Sequence, residues 1–271
     1  MGACAALGCL ALAGCAAAGS DAGPIRGAPA THATAPVVTG VAPTSAQAAV
    51  VPRVLLVGDS TLKAVLNYDT FDALRGFDYV FDAESCRTLG VRSCGLPPQP
   101  TNAVETIQAS SGPFDVVVVM AGYDEWWTSF PDSFDEVVRV SRAAGAEHIV
   151  WLTYREGLGY VAPDGATANE AFVRNNITVR ERLATGNFPD VVLADWAAYT
   201  ATVPDWLESD GIHLSPAGAW GVADYISRTI AHVLGAPCPA PWEIGAVADQ
   251  PCPPPDTHAP PSAVRALYRP G

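Results

Sequence analysis

Lysine is almost missing from this chain: Lys63 is the only one among fifteen basic residues, set against 28 acidic ones for a formal net charge of −13. That balance leaves no basic stripe able to neutralise phosphates, and it argues against nucleic acid as a partner. The apolar run at residues 1–15 is too brief to span a bilayer. No Cys-x-x-Cys pair occurs and no histidine flanks a cysteine, so the cysteines make a poor zinc site. No serine sits in Gly-x-Ser-x-Gly, which counts against the strained nucleophile turn of the α/β-hydrolases. Residues 16–51 hold almost no aromatic or charged side chains and too few large apolar ones to offset the entropy of ordering.

What is present begins with those first fifteen residues, which have the size of an export signal's hydrophobic core, although no Lys or Arg precedes it. Leu12-Ala13-Gly14-Cys15 resembles the bacterial lipobox, which implies a diacylglyceryl group on Cys15 and a domain held at the outer face of a membrane or released from it. Residues 16–51 are then expected to be a tether. With Cys4 and Cys9 lost in the signal and Cys15 acylated, four of the seven cysteines remain. Three pairings are open; the close spacing favours Cys86 with Cys94 and Cys238 with Cys252, as an oxidising compartment permits. The tail, residues 236–271, carries ten of the 24 prolines, so it is expected to form neither a helix nor an inner strand. Trp242, Leu267 and Tyr268 suggest that it packs back on the domain.

Between them, residues 52–235 alternate short apolar runs with helical stretches. The runs at 53–57, 79–81, 115–120, 148–153 and 191–194 are rich in Val, Ile and Leu and lack polar alternation, as strands buried on both faces do. Helical character falls near 61–75, 101–111, 131–144, 167–186 and 215–234. Alternating β and α elements imply a parallel sheet with helices on both sides, and ligands at the carboxyl ends of its strands. Those ends carry Gly58-Asp59-Ser60, Ser85-Cys86-Arg87, Gly122 to Trp127, Tyr154-Arg155 and Asp195-Trp196.

A serine on a tight strand-to-helix turn presents its hydroxyl at the sheet edge, and its own N–H faces the reacting atom from the helix start. That is the setting of Ser60. The hydroxyl needs a base, and His213 is the one histidine with a carboxylate, Asp210, three residues before it in a loop leading into a helix. His32, His148, His232 and His258 lack that setting.

Together, Gly58-Asp59-Ser60-Thr61 and Asp210-Gly-Ile-His213-Leu-Ser-Pro-Ala-Gly218 resemble the first and last blocks of the SGNH or GDSL-like hydrolases. The resemblance covers about residues 52–235. It implies a three-layer αβα fold on a flavodoxin-like parallel sheet, a Ser60–His213–Asp210 triad, and hydrolysis or transfer of acyl esters without metal or organic cofactor.

Two blocks depart from the family. Its Gly-x-Asn-Asp block, whose asparagine donates to the oxyanion, is here Gly122-Tyr123-Asp124-Glu125, so Asp124 takes the donor's position. The glycine expected after the second strand is replaced by Glu84-Ser85-Cys86-Arg87, which leaves the N–H of Cys86 or Arg87, with that of Ser60, as oxyanion-hole candidates. Tyr123, Trp126, Trp127 and Arg155 are candidates for substrate contact, because indole faces stack on sugars and pack on acyl chains. The reading is an extracytoplasmic esterase acting on an O-acyl group of a cell-wall polysaccharide or a lipid. A binding module disabled by Asp124, or an acyltransferase, stays open on the same residues. Asn176-Ile-Thr178 matches a glycosylation sequon inside an expected helix.

Overall fold

The computed structural model describes residues 25–26, 51–94, 97–157, 168–239 and 250–255. Its centre is a six-stranded sheet ordered β1-β3-β2-β4-β5-β6. The strands are β1 (Ile25–Arg26), β2 (Arg53–Gly58), β3 (Asp78–Ala83), β4 (Val116–Met120), β5 (His148–Leu152) and β6 (Val191–Ala194). From β3 to β6 every pairing is parallel. Counting parallel strands alone, the order is second, first, third, fourth, fifth, which is the expected flavodoxin-like arrangement. The edge strand β1, within the segment expected to be a tether, pairs antiparallel to β3 through Ile25 with Phe81 and Arg26 with Val80.

The apolar runs are unbroken because both faces of each inner strand are covered. Along β2, Val54 and Leu56 enter a core with Val118, Leu152, Trp196 and Tyr225, while Leu55 and Val57 enter a second core with Val119, Phe134, Trp151 and Phe172. The first core lies under α1 (Ser60–Asn67), α5 (Trp196–Thr200) and α6 (Pro216–Val233). The second lies under α2 (Ala103–Ala109), α3 (Phe130–Ala143) and α4 (Ala168–Ala184). Each such side chain taken fully out of water contributes about 1.5–3 kcal/mol. Together they make the three αβα layers.

The expected elements fall close to the observed ones, with one early stop. α1 ends at Asn67 rather than near residue 75, because the Tyr68 N–H turns back to the Ala64 carbonyl and Asp69 adopts a φ of 51°. A single 3₁₀ turn, Phe71–Ala73, then leads to β3. Of the tail, residues 236–239 and 250–255 are described. Cys238 and Cys252 form a disulfide closing a separation of 14 residues, a constraint worth about 3 kcal/mol on the chain-entropy estimate. Cys252 is buried, its N–H donates to the Ala236 carbonyl, and its carbonyl faces His232 Nδ1 at 2.9 Å, so this part is fastened to the end of α6. Cys15, Trp242, Leu267 and Tyr268 lie outside the described residues. Among the described residues, no helix is long and apolar enough to cross a membrane.

Candidate active site

The turn from β2 into α1 is held by Asp59, which is completely buried. One of its carboxylate oxygens caps α1 by accepting from the Thr61 N–H at 2.9 Å and the Thr61 hydroxyl at 2.6 Å. The other accepts from the N–H groups of Gly122 at 3.0 Å and Tyr123 at 3.1 Å. Burial raises the Asp59 pKa even against these four donors. One carboxylate therefore sets the serine's helix and ties the β4–α3 loop to it. Gly58 is required before it, since a Cβ there would lie 2.3 Å from the Leu62 Cβ.

Ser60 opens α1, and its Oγ lies 3.0 Å from His213 Nε2. The other imidazole nitrogen, Nδ1, lies 2.6 Å from Asp210 Oδ2. Asp210 Oδ1 accepts from the N–H groups of Ile212 at 2.8 Å and His213 at 3.0 Å. Partial burial would raise the Asp210 carboxyl, but the bonds from the imidazole and these two N–H groups outweigh it and leave the pKa lowered. The loop is anchored at both ends. Leu207 bridges Leu214, the Glu208 N–H donates to the His213 carbonyl at 2.8 Å, Leu214 is buried, and Ser215 caps α6 with Pro216 in its first turn. That accounts for Leu-Ser-Pro following the histidine.

The oxyanion candidates are distinguished by what their N–H groups already do. The Arg87 N–H donates to the Glu84 carbonyl at 3.3 Å. Those of Ser60 and Cys86 have no acceptor among the described residues. Cys86 stands at a φ of 68°, a left-handed conformation that suits the glycine expected here, and its disulfide to Cys94 holds it there. The Arg87 guanidinium is buried beneath, bonded to the carbonyls of Asp82 and Thr101 and to the Asp82 carboxylate.

Asp124 is exposed, and its carboxylate lies within 4.8 Å of both sulfurs of the Cys86–Cys94 disulfide. Loss of water around the carboxyl and the nearby Asp59 charge push its pKa up to about 6, against the pull of His213. The residue still touches solvent, so the cause is crowding at the carboxyl and not enclosure of the side chain. Cys86, Cys94 and Asp124 are the one cluster of metal-ligating residue types among the described residues, and both sulfurs are spent in the disulfide.

The expected contact residues divide. Tyr123 packs edge-on against Tyr154 and Phe172, and its hydroxyl accepts from the Arg155 N–H at 2.8 Å. Trp126 is 37% exposed and stacks on Trp127 at 4.1 Å between centroids, with the Arg174 guanidinium 5.1 Å from the Trp127 ring. Asp195 caps α5 and pairs with Arg180, while Trp196 is fully buried. Asn176 of the sequon is also fully buried, its amide clamping both backbone groups of Tyr154 at 2.8 Å, so the folded chain cannot present it for glycosylation.

Two supports were not anticipated. Glu125, 1% exposed, accepts from the Leu89 N–H and from the hydroxyls of Ser129 and Ser133, fixing the loop behind Cys86; serines four and eight residues after a carboxylate were its only signal. Gly122 stands at a φ of 111°, and a Cβ there would meet the Tyr154 hydroxyl at 2.5 Å. Gly122→Ala is expected to cost about 3 kcal/mol, combining backbone strain with the clash. Urea unfolding would show it as a lower midpoint at unchanged slope, and an unshifted midpoint would contradict it.

No protein-family model matches this chain, and no curated protein matches it. Solved structures do. A candidate SGNH hydrolase from Slackia heliotrinireducens is 25% identical, with a TM-score of 0.46 over 64% of this chain and 95% of that one. Est24, a carbohydrate acetylesterase from Sinorhizobium meliloti, is 15% identical, with a TM-score of 0.47 over 66% and 98%. An aryl esterase from M. smegmatis is 15% identical, with a TM-score of 0.47 over 65% and 98%. What the site can do chemically is carried by its own geometry.

Proposed function

We propose that this chain is a serine esterase that removes an O-acyl group from an extracytoplasmic substrate. The observation that carries the proposal is the unbroken run of contacts from Ser60 Oγ through His213 to Asp210, at 3.0 and 2.6 Å. In the first half-reaction Ser60 Oγ bonds to the acyl carbon while His213 Nε2 takes the hydroxyl proton. The carbonyl oxygen becomes an oxyanion facing the N–H groups of Ser60 and Cys86. Collapse breaks the bond to the alcohol oxygen, which leaves with the proton from His213. Water then repeats the sequence on acyl-Ser60, releasing the acid and restoring the serine. Asp210 holds the imidazole tautomer and offsets its charge without taking the proton.

The Asp124 carboxylate favours a second reading, a chain that keeps the cleft and binds without turning over. Incubation with a fluorophosphonate separates the two. Esterase chemistry predicts one covalent adduct, mapped to Ser60 by mass spectrometry and lost in His213→Ala. Absence of any adduct would favour the binding module. The lipobox-like segment supports attachment through Cys15 outside the cytoplasm. Should the acyl-enzyme exclude water in favour of a sugar alcohol, the same residues would serve an acyltransferase.

A further inference from the structure

Arg155 leaves the carboxyl end of β5 on the rim that holds Ser60, and its cation is unspent. Each other arginine whose side chain is described has an ion pair, a hydrogen bond or an aromatic face. Arg155 has neither an ion pair nor a side-chain hydrogen bond among the described residues, and its Nε is shut off from solvent without a partner. Buried polar groups are nearly always satisfied. Arg182 Nε is shut off in the same way, but its guanidinium pairs with Asp135, so Arg155 is the described arginine whose lack of any partner calls for a cause. On a protein with 28 acidic residues, carboxylates to pair with it are abundant, yet none described does so.

Its place supplies the cause. The Arg155 N–H donates to the Tyr123 hydroxyl, and the Tyr123 N–H donates to Asp59, the residue before Ser60. The same β4–α3 loop carries the stacked, partly exposed Trp126 and Trp127. A guanidinium presents paired donors that match the two oxygens of a carboxylate, and a flat indole surface suits the face of a sugar ring.

We infer that Arg155 receives a carboxylate on the substrate, so that the ester is carried by an acidic, uronate-type carbohydrate. The inference rests on the esterase reading for its kinetics but not for its binding. The test uses full-chain Ser60→Ala protein and an O-acetylated oligogalacturonide, with free carboxylates or with every carboxylate methyl-esterified. Calorimetry is expected to show the acidic form binding at least tenfold tighter, an advantage that salt reduces and Arg155→Gln removes. Arg155→Lys should restore only part of it, since charge returns without the fork. Equal binding of the two forms by the Ser60→Ala protein would overturn the inference, as would a preference that survives Arg155→Gln. Tighter binding of a sugar phosphate of the same size would overturn the carboxylate assignment. Acetate release by the unsubstituted protein is read separately. Release without preference sinks the carboxylate inference and leaves the esterase reading standing. Preference without release supports the inference and sinks the esterase.

Discussion

Ser60→Ala is expected to lower kcat on p-nitrophenyl acetate by about 10⁴- to 10⁶-fold, to near the uncatalysed rate. In the proposed reaction the hydroxyl is the atom that bonds to the acyl carbon, and nothing among the described residues at the turn could replace it. His213→Ala should cost about as much, and the double variant hardly more, because a nucleophile without its base and a base without its nucleophile fail at the same step. Asp210→Ala should retain more activity, roughly ten- to a hundredfold above the other two, since the carboxylate orients and stabilises without forming a bond to substrate. The measurement is steady-state turnover on protein whose folding is verified by thermal unfolding. Wild-type rates in Ser60→Ala would end the triad reading.

Asp124→Asn is expected to raise turnover of a neutral ester at pH 7.5 by about 10²-fold. In the resemblance, this position donates to the oxyanion. An ionised carboxylate there repels the developing charge, whereas an amide supplies a donor of the kind typically worth about 10²- to 10³-fold. The sign of the pH dependence follows. The Asp124 carboxyl is pushed up to about 6, so at pH 7.5 it is ionised and below 6 it gains a proton and can itself donate. The ratio of variant to parent rates should therefore be largest above pH 7 and shrink as pH falls through about 6, and taking a ratio removes the titration the two proteins share. A ratio near one across the whole range would mean that Asp124 does not face the oxyanion. Stability should move with it. A carboxyl whose folded pKa lies above its unfolded value near 3.8 opposes folding most at pH above 6 and not at all below about 4. The asparagine variant should then be the more stable protein at pH 7.5, by about 1 kcal/mol once solvent screening at this exposed residue is allowed for.

The layers of this fold were legible because strands covered on both faces must be apolar at every position. Val54 to Val57 and Val116 to Val119 say so without help from their partners. The early end of α1 was less legible, since Asp69 gives no warning that it will take a left-handed conformation. At the site, Ser60, His213 and Asp210 stood out because a strand-to-helix turn and a capped helix start both leave marks in sequence. The roles of Asn176 and the Arg87 side chain did not, because Tyr154 for the one and Thr101 and Gly58 for the other are brought up by the fold, and Glu125 left only the serines four and eight residues on. Asn176 shows the difficulty: its local signal was a sequon, and its use is to clamp Tyr154, 22 residues earlier. The orphaned Arg155 Nε is invisible for the same reason, since an absence of partners is a property of the folded chain alone.

Ser60 begins α1 and His213 lies just before the cap of α6, 153 residues later, yet the two side chains meet at 3.0 Å. During synthesis the proposed nucleophile therefore emerges long before its proposed base. A nascent chain carrying the whole sheet but lacking α6 would hold an unactivated alcohol and leave neighbouring esters alone. On the proposed reaction, hydrolytic competence would arrive at one moment, when α6 docks, so the onset of turnover would time the closing of that layer more sharply than any spectroscopic probe of it.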